Sequence, residues 1–429
     1  MTARLLIGDV FKRMAEIPDG SVDLVVTSPP FLALRSYLPA DHPNKDREIG
    51  SEATPADFID TLLALTAEWG RVLAPHGSLC VELGDTFSGS GGAGGDYNAG
   101  GLRDGQQKFD GSNTRLGRVV DHDSGRRTPG PGWPLAKSLT GIPTLYAWSL
   151  AYGRHLLTGE ESPAGQWRIR NLIVWARPNP PVGALGDKFR PATSYITVAT
   201  RSPNRWFDLD AVRSPHADPR ELDRRNIATP SRTSDARGID GGDQRGYQLH
   251  KGNPAGAPPL DWHADEHPED GDWLWKLPTQ PYKGAHYATF PKTLPKRLIE
   301  AMCPRQVCTG CGEPQRRITE TGDAEGRSVA TKGGSRTERA GRATTQQATG
   351  KHLTVADVRT VGWTICDCAD PDYRPGLVLD PFAGSGTTLE VATGLGRDCI
   401  GIDLDDRNAD LARDRVGMFL EVDQPEEAA

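Results

Sequence analysis

No run in this chain approaches the ~18 consecutive apolar residues that a bilayer span requires. The amino-terminal MTARLLIGDVFKRM also lacks the apolar core of a secretory leader. Both absences make a cytoplasmic location the expectation and remove any reason to look for a membrane partner. Hydrophobic residues are scarce, 36% of 429, too few for a compact core throughout. The 49 glycines and 34 prolines concentrate in particular stretches, so part of the chain is expected to be loop or insertion. An excess of positive charge is missing as well. The formal net charge of -7 argues against coating nucleic acid by bulk attraction, although local basic clefts remain compatible with it. Cysteine is nearly absent outside one stretch: five of the seven lie between Cys303 and Cys368. In a reducing compartment that grouping points to metal binding more than to disulfides.

The apolar pattern in the first eighty-five residues alternates between two periods. Arg4 to Ile7, Val22 to Thr27 and Ser78 to Leu83 read as strands, Val10 to Ile17 as a short helix and Pro55 to Val72 as an amphipathic helix. Such alternation predicts a parallel, helix-covered sheet. Ser88 to Pro134, with GSGGAGG and PGPG, has no period and is expected to be a long mobile loop. A helix is then predicted over Leu135 to Leu157 and strands at Asn171 to Ala176 and Tyr195 to Thr200. The polar, Pro-rich text from Ala211 to about Gly271 and the Gly/Thr/Ala/Arg-rich run from Gly322 to Gly350 carry no fold signal.

Two short motifs carry the chemistry. DLVVTSPPF, Asp23 to Phe31, is an apolar strand entering a Ser-Pro-Pro-aromatic turn. LVLDPFAGSGTT, Leu377 to Thr388, is an apolar strand entering a Gly-rich turn and a helix. Both place polar residues at the carboxyl end of a strand, the edge of an open α/β sheet where ligands collect. In the second motif Gly384 and Gly386 permit a tight turn and close approach of a ligand. A further strand, Cys399 to Ile402, ends in Asp403, whose carboxylate is placed to accept both hydroxyls of a ribose. A phosphate-binding P-loop would need Gly-Lys-Ser/Thr, which does not follow Gly386. A nicotinamide site would prefer glycine where Leu389 stands. A ligand with ribose and no phosphates fits better, and S-adenosylmethionine is the commonest such ligand. The plain alternative for Asp380 and Asp403 is helix capping.

At the first motif, the arrangement suits amino-group chemistry. A nucleobase amino nitrogen has its lone pair delocalised into the ring, and acceptors on its two hydrogens favour the pyramidal form that attacks a sulfonium methyl. The Ser28 side chain and the Pro29 carbonyl are the expected acceptors, with Pro30 fixing the backbone. Phe31 offers a ring face for a base rotated out of a duplex. The plain alternative is a strand-terminating turn with a core Phe. Methylation at carbon 5 would need a Pro-Cys nucleophile loop, and the only such neighbours stand in the order Cys303-Pro304.

On these residues the chain resembles the DNA amino-methyltransferases acting on N4 of cytosine or N6 of adenine, in the permuted group whose catalytic motif precedes the cofactor motif. The family's (D/N/S)-P-P-(Y/F) maps onto Ser28, Pro29, Pro30 and Phe31, and its F-x-G-x-G onto Phe382, Gly384 and Gly386. The resemblance implies a circularly permuted, doubly wound Rossmann-like sheet. It also implies a cofactor site formed by Asp9, His286, Phe290, Pro291, Asp380, Phe382, Gly384, Ser385, Gly386, Thr387 and Asp403. Asp9 of the Gly8-Asp9 pair would lie near the cofactor adenine, and HYATFP, His286 to Pro291, over its methionine part. Ser at the first catalytic position resembles the cytosine-N4 members, with adenine N6 as the alternative. FRPATSYI departs from the basic or acidic pair that members often carry after Arg-Pro, so Thr193 and Ser194 receive no role.

The remaining cysteines, Cys308-x-x-Cys311 and Cys366-x-Cys368, supply four thiolates on two turns, the donor set of a closed structural zinc site. Cys303 is a possible substitute ligand, whereas Cys80 and Cys399 lie in apolar strands. The expected organisation is a catalytic half over 1–87, the Gly-rich loop over 88–134, a continuation over 135–210 and a target-recognition insertion over 211–272. The catalytic domain resumes over 273–302, followed by a zinc-ribbon-like insertion over 303–374, the cofactor half over 375–420 and an acidic tail over 421–429. The expected partner is double-stranded DNA, with a cognate restriction endonuclease and a homodimer as further expectations. A non-catalytic, zinc-containing DNA-binding protein is the reading from another functional class, and an RNA methyltransferase is a second rival.

Overall fold

The computed structural model describes residues 1–34, 37–38, 41–88, 129–178, 189–213, 277, 290–321 and 358–424. Along the chain the elements are β1 (Ala3–Ile7), α1 (Val10–Met14), β2 (Val22–Thr27), α2 (Pro55–Val72), β3 (Leu73–Leu83), α3 (Ile142–Tyr152), β4 (Arg168–Ala176) and β5 (Thr193–Thr200). They continue with α4 (Thr293–Met302), β6 (Gln306–Cys308), β7 (Arg317–Thr321), β8 (Val358–Trp363), β9 (Tyr373–Pro375), β10 (Leu377–Asp380), α5 (Thr387–Gly394), β11 (Asp398–Asp403), α6 (Asn408–Val416) and β12 (Leu420–Asp423).

Eight strands form one sheet in the order β12-β1-β11-β10-β2-β3-β5-β4. The first six run parallel, and β5 and β4 add an antiparallel hairpin on the β3 side. Every residue of β2 is buried, as a strand covered on both faces must be. Alternate side chains serve opposite faces. Leu6, Val25, Leu79 and Val81 pack into a core with Met14 of α1, Phe58, Leu62 and Trp69 of α2 and Tyr146 of α3. From the other face Cys80 Sγ meets Met302 Sδ of α4 at 4.0 Å, and a Cβ at Gly401 would lie 2.9 Å from Leu389 of α5. Helices therefore cover both faces, giving the doubly wound Rossmann-like α/β fold.

The helix boundaries follow local chemistry. Thr54 and Asp57 form a reciprocal capping box with Pro55 in the first turn of α2, so that helix spans the residues its periodicity predicts. The helix expected over Leu135 to Leu157 is shorter, Ile142–Tyr152, because left-handed glycines at Gly141 (φ 77) and Gly153 (φ 65) bound it. Part of the stretch expected as an acidic tail is strand: Leu420–Asp423 pairs in parallel with β1, and Asp423 binds Arg4 at 2.6 Å. Most of the Gly-rich loop, of the Ala211 to Gly271 stretch and of the Gly322 to Gly350 run lies outside the described residues.

The chain divides into two compact units. One comprises Met1–Asp208, Leu260–Gln315 and Ile365–Ala429 and contains the sheet; the other comprises Leu209–Pro259 and Arg316–Thr364 and contains the antiparallel pair β7 and β8. Arg317 lies over the Trp363 ring at 5.0 Å in that pair. No helix among the described residues is long and apolar enough to cross a membrane.

Candidate functional site

The strands bearing the two motifs are neighbours. Val378 and Leu379 of β10 pair in parallel with Leu24 and Val25 of β2, so both turns leave the same edge of the sheet. β11 and β1 lie next in order, placing Asp403 and the Gly8-Asp9 pair on that edge too. The Gly8 amide donates to the Asp403 carbonyl at 2.8 Å.

Asp380 joins the motifs. The Thr27 hydroxyl donates to its Oδ1 at 2.8 Å and the Thr388 hydroxyl to its Oδ2 at 2.6 Å; the Phe382 amide adds a contact of 3.2 Å. Burial pushes the Asp380 carboxyl up to about 6, a rise that these three donors only partly oppose. Its oxygens face the protein, so Asp380 holds the geometry of the turn.

In the turn itself, the Gly384 amide donates to Asp403 Oδ2 at 2.7 Å. Gly386 has φ 79, and a Cβ there would lie 3.1 Å from Ala412 Cβ of α6. Only glycine satisfies both constraints without strain. Asp403 Oδ1 accepts from the Asp405 amide at 2.8 Å and from Asn408 Nδ2 at 3.0 Å. Burial raises this carboxyl to about 6 as well, against the pull of Asn408, Asp405 and Gly384. With three of its roughly four acceptor positions used, Asp403 retains room for one further donor. Ser385 is buried and its hydroxyl has no hydrogen-bond partner among the described residues. The Thr387 hydroxyl accepts from Arg415 at 3.0 Å, and Phe382 packs against the core. Asp9 caps α1 by accepting from the Lys12 amide at 3.1 Å, and it pairs with Arg47 at 3.3 Å.

At the Ser-Pro-Pro-Phe turn, the Ser28 hydroxyl donates to Glu82 Oε2 at 2.6 Å. Glu82 stands near the carboxyl end of β3, 4% exposed. Burial raises its pKa, while the Ser194 and Ser28 hydroxyls and the Arg177 charge pull it back. Ser194 Oγ and Glu82 Oε1 are buried and have no hydrogen-bond partner among the described residues. Pro29 is buried and Pro30 half-buried. The Phe31 ring lies against Gly84, where a Cβ would come within 2.4 Å of it. Sequence reasoning missed Glu82 and Gly84 and gave Ser194 no role. The available signal was an acid inside the apolar strand SLCVEL, directly followed by glycine.

Phe290 and Pro291 lie just before α4, where the Pro291 carbonyl accepts from the Leu294 amide at 3.0 Å. Lys292 pairs with Glu390 of α5, the helix that follows the Gly-rich turn. His286 lies outside the described residues. Cys308, Cys311, Cys366 and Cys368 come together with all four sulfurs within 4.8 Å of one another. Cys303 is not among them; its thiol is buried beside the Pro304 carbonyl at 3.7 Å. Cys80 and Cys399 are buried in β3 and β11.

Known proteins resemble this chain along most of its length. The N6/N4 DNA methylase family model matches residues 22–307 and 343–414. The chain is 22% identical over 415 residues to the type II methyltransferase M.SmaI of Serratia marcescens, covering 97% of this chain and 91% of that protein. It is 24% identical over 417 residues to M.XycI of Xanthomonas campestris pv. cyanopsidis, covering 96% and 87%. Among solved structures it is similar to the PvuII DNA methyltransferase (cytosine-N4-specific), with 12% identity and a TM-score of 0.42 over 97% of this chain and 86% of that one. The residues matched by the family model include both motif strands and the turns that leave them, and the chain belongs to the DNA methylase family.

Proposed function

We propose that the chain transfers the methyl group of S-adenosylmethionine to the exocyclic N4 amino group of cytosine in double-stranded DNA. The observation that carries this reading is the Ser28–Glu82 hydrogen bond at 2.6 Å, on the strand adjacent to the Gly-rich turn. With its own hydrogen directed to Glu82 in that bond, the Ser28 oxygen presents lone pairs to an amine hydrogen. The Pro29 carbonyl takes the second hydrogen, and the nitrogen becomes pyramidal and nucleophilic. Phe31, held against Gly84, stacks the extruded base. After transfer, the extra proton on nitrogen passes to the Ser28 oxygen while the Ser28 proton moves to Glu82. A buried carboxyl with a raised pKa suits that task.

The residues of the Gly-rich turn fit the cofactor. Ser385 has a buried hydroxyl without a partner among the described residues, Asp403 has acceptor capacity left, and the glycines leave the turn open to close approach. We assign Phe382, Gly384, Ser385, Gly386 and Asp403 to holding it, Asp9 to its adenine side, and His286, Phe290 and Pro291 to its methionine side. Asp380 and Thr387 position the turn. When bound, the cofactor supplies the electrophilic methyl; the protein orients the amine and moves the proton.

The catalytic strand precedes the cofactor strand in the chain yet lies beside it in the sheet, which supports reading the domain as circularly permuted. Ser28 favours cytosine over adenine. The type II names of the relatives support a role paired with a restriction endonuclease of the same site. Digestion of DNA modified by the purified protein, with nucleosides identified by mass spectrometry, should yield N4-methylcytosine. Only N6-methyladenine would overturn the base assignment, and no methylated nucleoside with cofactor, DNA and folded enzyme present would overturn the activity.

A further inference from the structure

We infer that Cys308, Cys311, Cys366 and Cys368 form a closed, four-thiolate zinc site that fastens the β6–β9 pair at the base of the two motif strands. The inference stands on geometry that the methyl-transfer reading does not use. A tetrahedron with zinc–sulfur bonds of about 2.3 Å has edges of about 3.8 Å. Cys308 and Cys368 sulfurs stand 3.9 Å apart, and all six separations fall within 4.8 Å. None of the four is in a disulfide, and a bonded pair would be far closer. Four thiols gathered this closely, with one separation at the edge length of a tetrahedron, are arranged for a thiophilic cation.

The backbone around the sulfurs is shaped for the same purpose. Cys308 to Gly312 forms a tight knuckle: the Gly312 amide donates to the Cys308 carbonyl at 2.9 Å and the Cys308 amide to the Glu313 carbonyl at 3.0 Å. Gly312 has φ 73, and a Cβ at Gly310 would lie 3.8 Å from Cys368 Sγ and 3.9 Å from Cys308 Sγ. The second knuckle is braced by Tyr373, whose hydroxyl donates to Cys366 Sγ at 3.6 Å and accepts from the Cys366 amide at 3.2 Å. Partners of this kind orient metal ligands from behind. All four positions are filled by protein, so no position remains open for catalysis and the role is structural.

What the site fastens can be followed along the chain. Cys308 ends β6 and pairs with Tyr373 of β9. The next residue, Arg374, binds the buried Asp23 of β2 at 2.7 and 3.2 Å, and Asp23 also accepts the amide of Leu377, the first residue of β10, at 2.7 Å. The chain leaves the site after Cys311 and returns to it at Cys366, so a bound ion closes that loop and restrains the Cys308–Tyr373 end of the β6–β9 pair.

The test is elemental analysis of the full-length protein, purified without metal-affinity resin or chelator. About one zinc per chain is expected, retained in Cys303→Ala and lost in Cys311→Ser and Cys368→Ser. Should those variants prove insoluble, cobalt reconstitution of the metal-stripped wild type decides. A tetrahedral tetrathiolate site gives intense d–d absorption with sulfur-to-cobalt charge transfer. Negligible zinc after incubation with zinc ions, a cobalt spectrum of an oxygen-ligated octahedral ion, iron in place of zinc, or full zinc retention in soluble Cys311→Ser would each overturn the site.

Discussion

The Thr27 hydroxyl donates a 2.8 Å hydrogen bond to Asp380 Oδ1 across 353 positions of sequence. It ties the last residue of β2 to the last residue of β10. Because Thr388 takes the other oxygen, one buried carboxylate aligns the Ser-Pro-Pro-Phe turn, the Gly-rich turn and the helix after it. Misplacing any of these by an ångström would separate the amine from the methyl donor.

The charge on Asp380 makes stability depend on pH in a defined direction. Burial holds its folded-state pKa at about 6 against the ordinary 3.8, so the folded chain keeps this proton after the unfolded chain has lost it. The stabilising contribution is complete below about pH 4 and disappears as pH rises through 6. Urea unfolding of wild type should show this loss, and Asp380→Asn should remove up to about 3 kcal/mol of it. Asp403, also near 6, keeps its own share in that variant. An unchanged pH slope in Asp380→Asn would contradict the assignment.

Substituting Ser28→Ala should leave cofactor affinity unchanged by calorimetry while lowering single-turnover methyl transfer by about 100-fold, the scale of losing one positioned polar group. Glu82→Gln should fold and bind cofactor but lose the acidic limb of the pH–rate profile, because an amide cannot collect the proton. Wild-type turnover in Ser28→Ala, or an unaltered acidic limb in Glu82→Gln, would remove the proposed proton path.

Gly386→Ala adds a Cβ 3.1 Å from Ala412 Cβ at φ 79, and should cost about 1–2 kcal/mol. Calorimetry should show cofactor affinity falling by about tenfold as the turn shifts. Gly394→Ala, at the end of the same helix with open space around it, serves as the control and should leave affinity intact.

Asp23 is fully buried between His76 at 2.9 Å and Arg374 at 2.7 Å. Desolvation pushes its carboxyl up, but His76, Arg374 and the Leu377 amide together outweigh that and hold it below its ordinary value. Arg374→Ala leaves this carboxylate without its strongest partner and should destabilise the fold by about 3–5 kcal/mol, measured by urea unfolding at neutral pH. A loss below about 1 kcal/mol would mean that His76 and the amide suffice.

Much of this protein is written locally. The apolar run of Val22–Thr27 and the Thr54, Pro55, Asp57 start of α2 depend on nearest neighbours in sequence, and both elements fall where the pattern places them. Gly141 and Gly153 were equally visible, yet their left-handed conformations, which bound α3 at its two ends, follow from packing that periodicity does not report. Likewise Leu420–Asp423 has the composition of a tail and becomes a strand only because the edge of β1 is available to it.

The site divides along the same line. Residue types and spacings alone determined that Ser28 to Phe31 suits amine chemistry, that the turn at Phe382 to Gly386 suits a ribose-bearing ligand, and that four thiols suit a metal. Only the tertiary structure decided that β2 and β10 are neighbours, that Asp380 serves the geometry of both turns, and that the Ser28 hydroxyl donates to Glu82. Contacts of that kind join residues whose separation in sequence carries no periodic signal, and they exist because a doubly wound sheet gathers the carboxyl ends of its parallel strands along one edge.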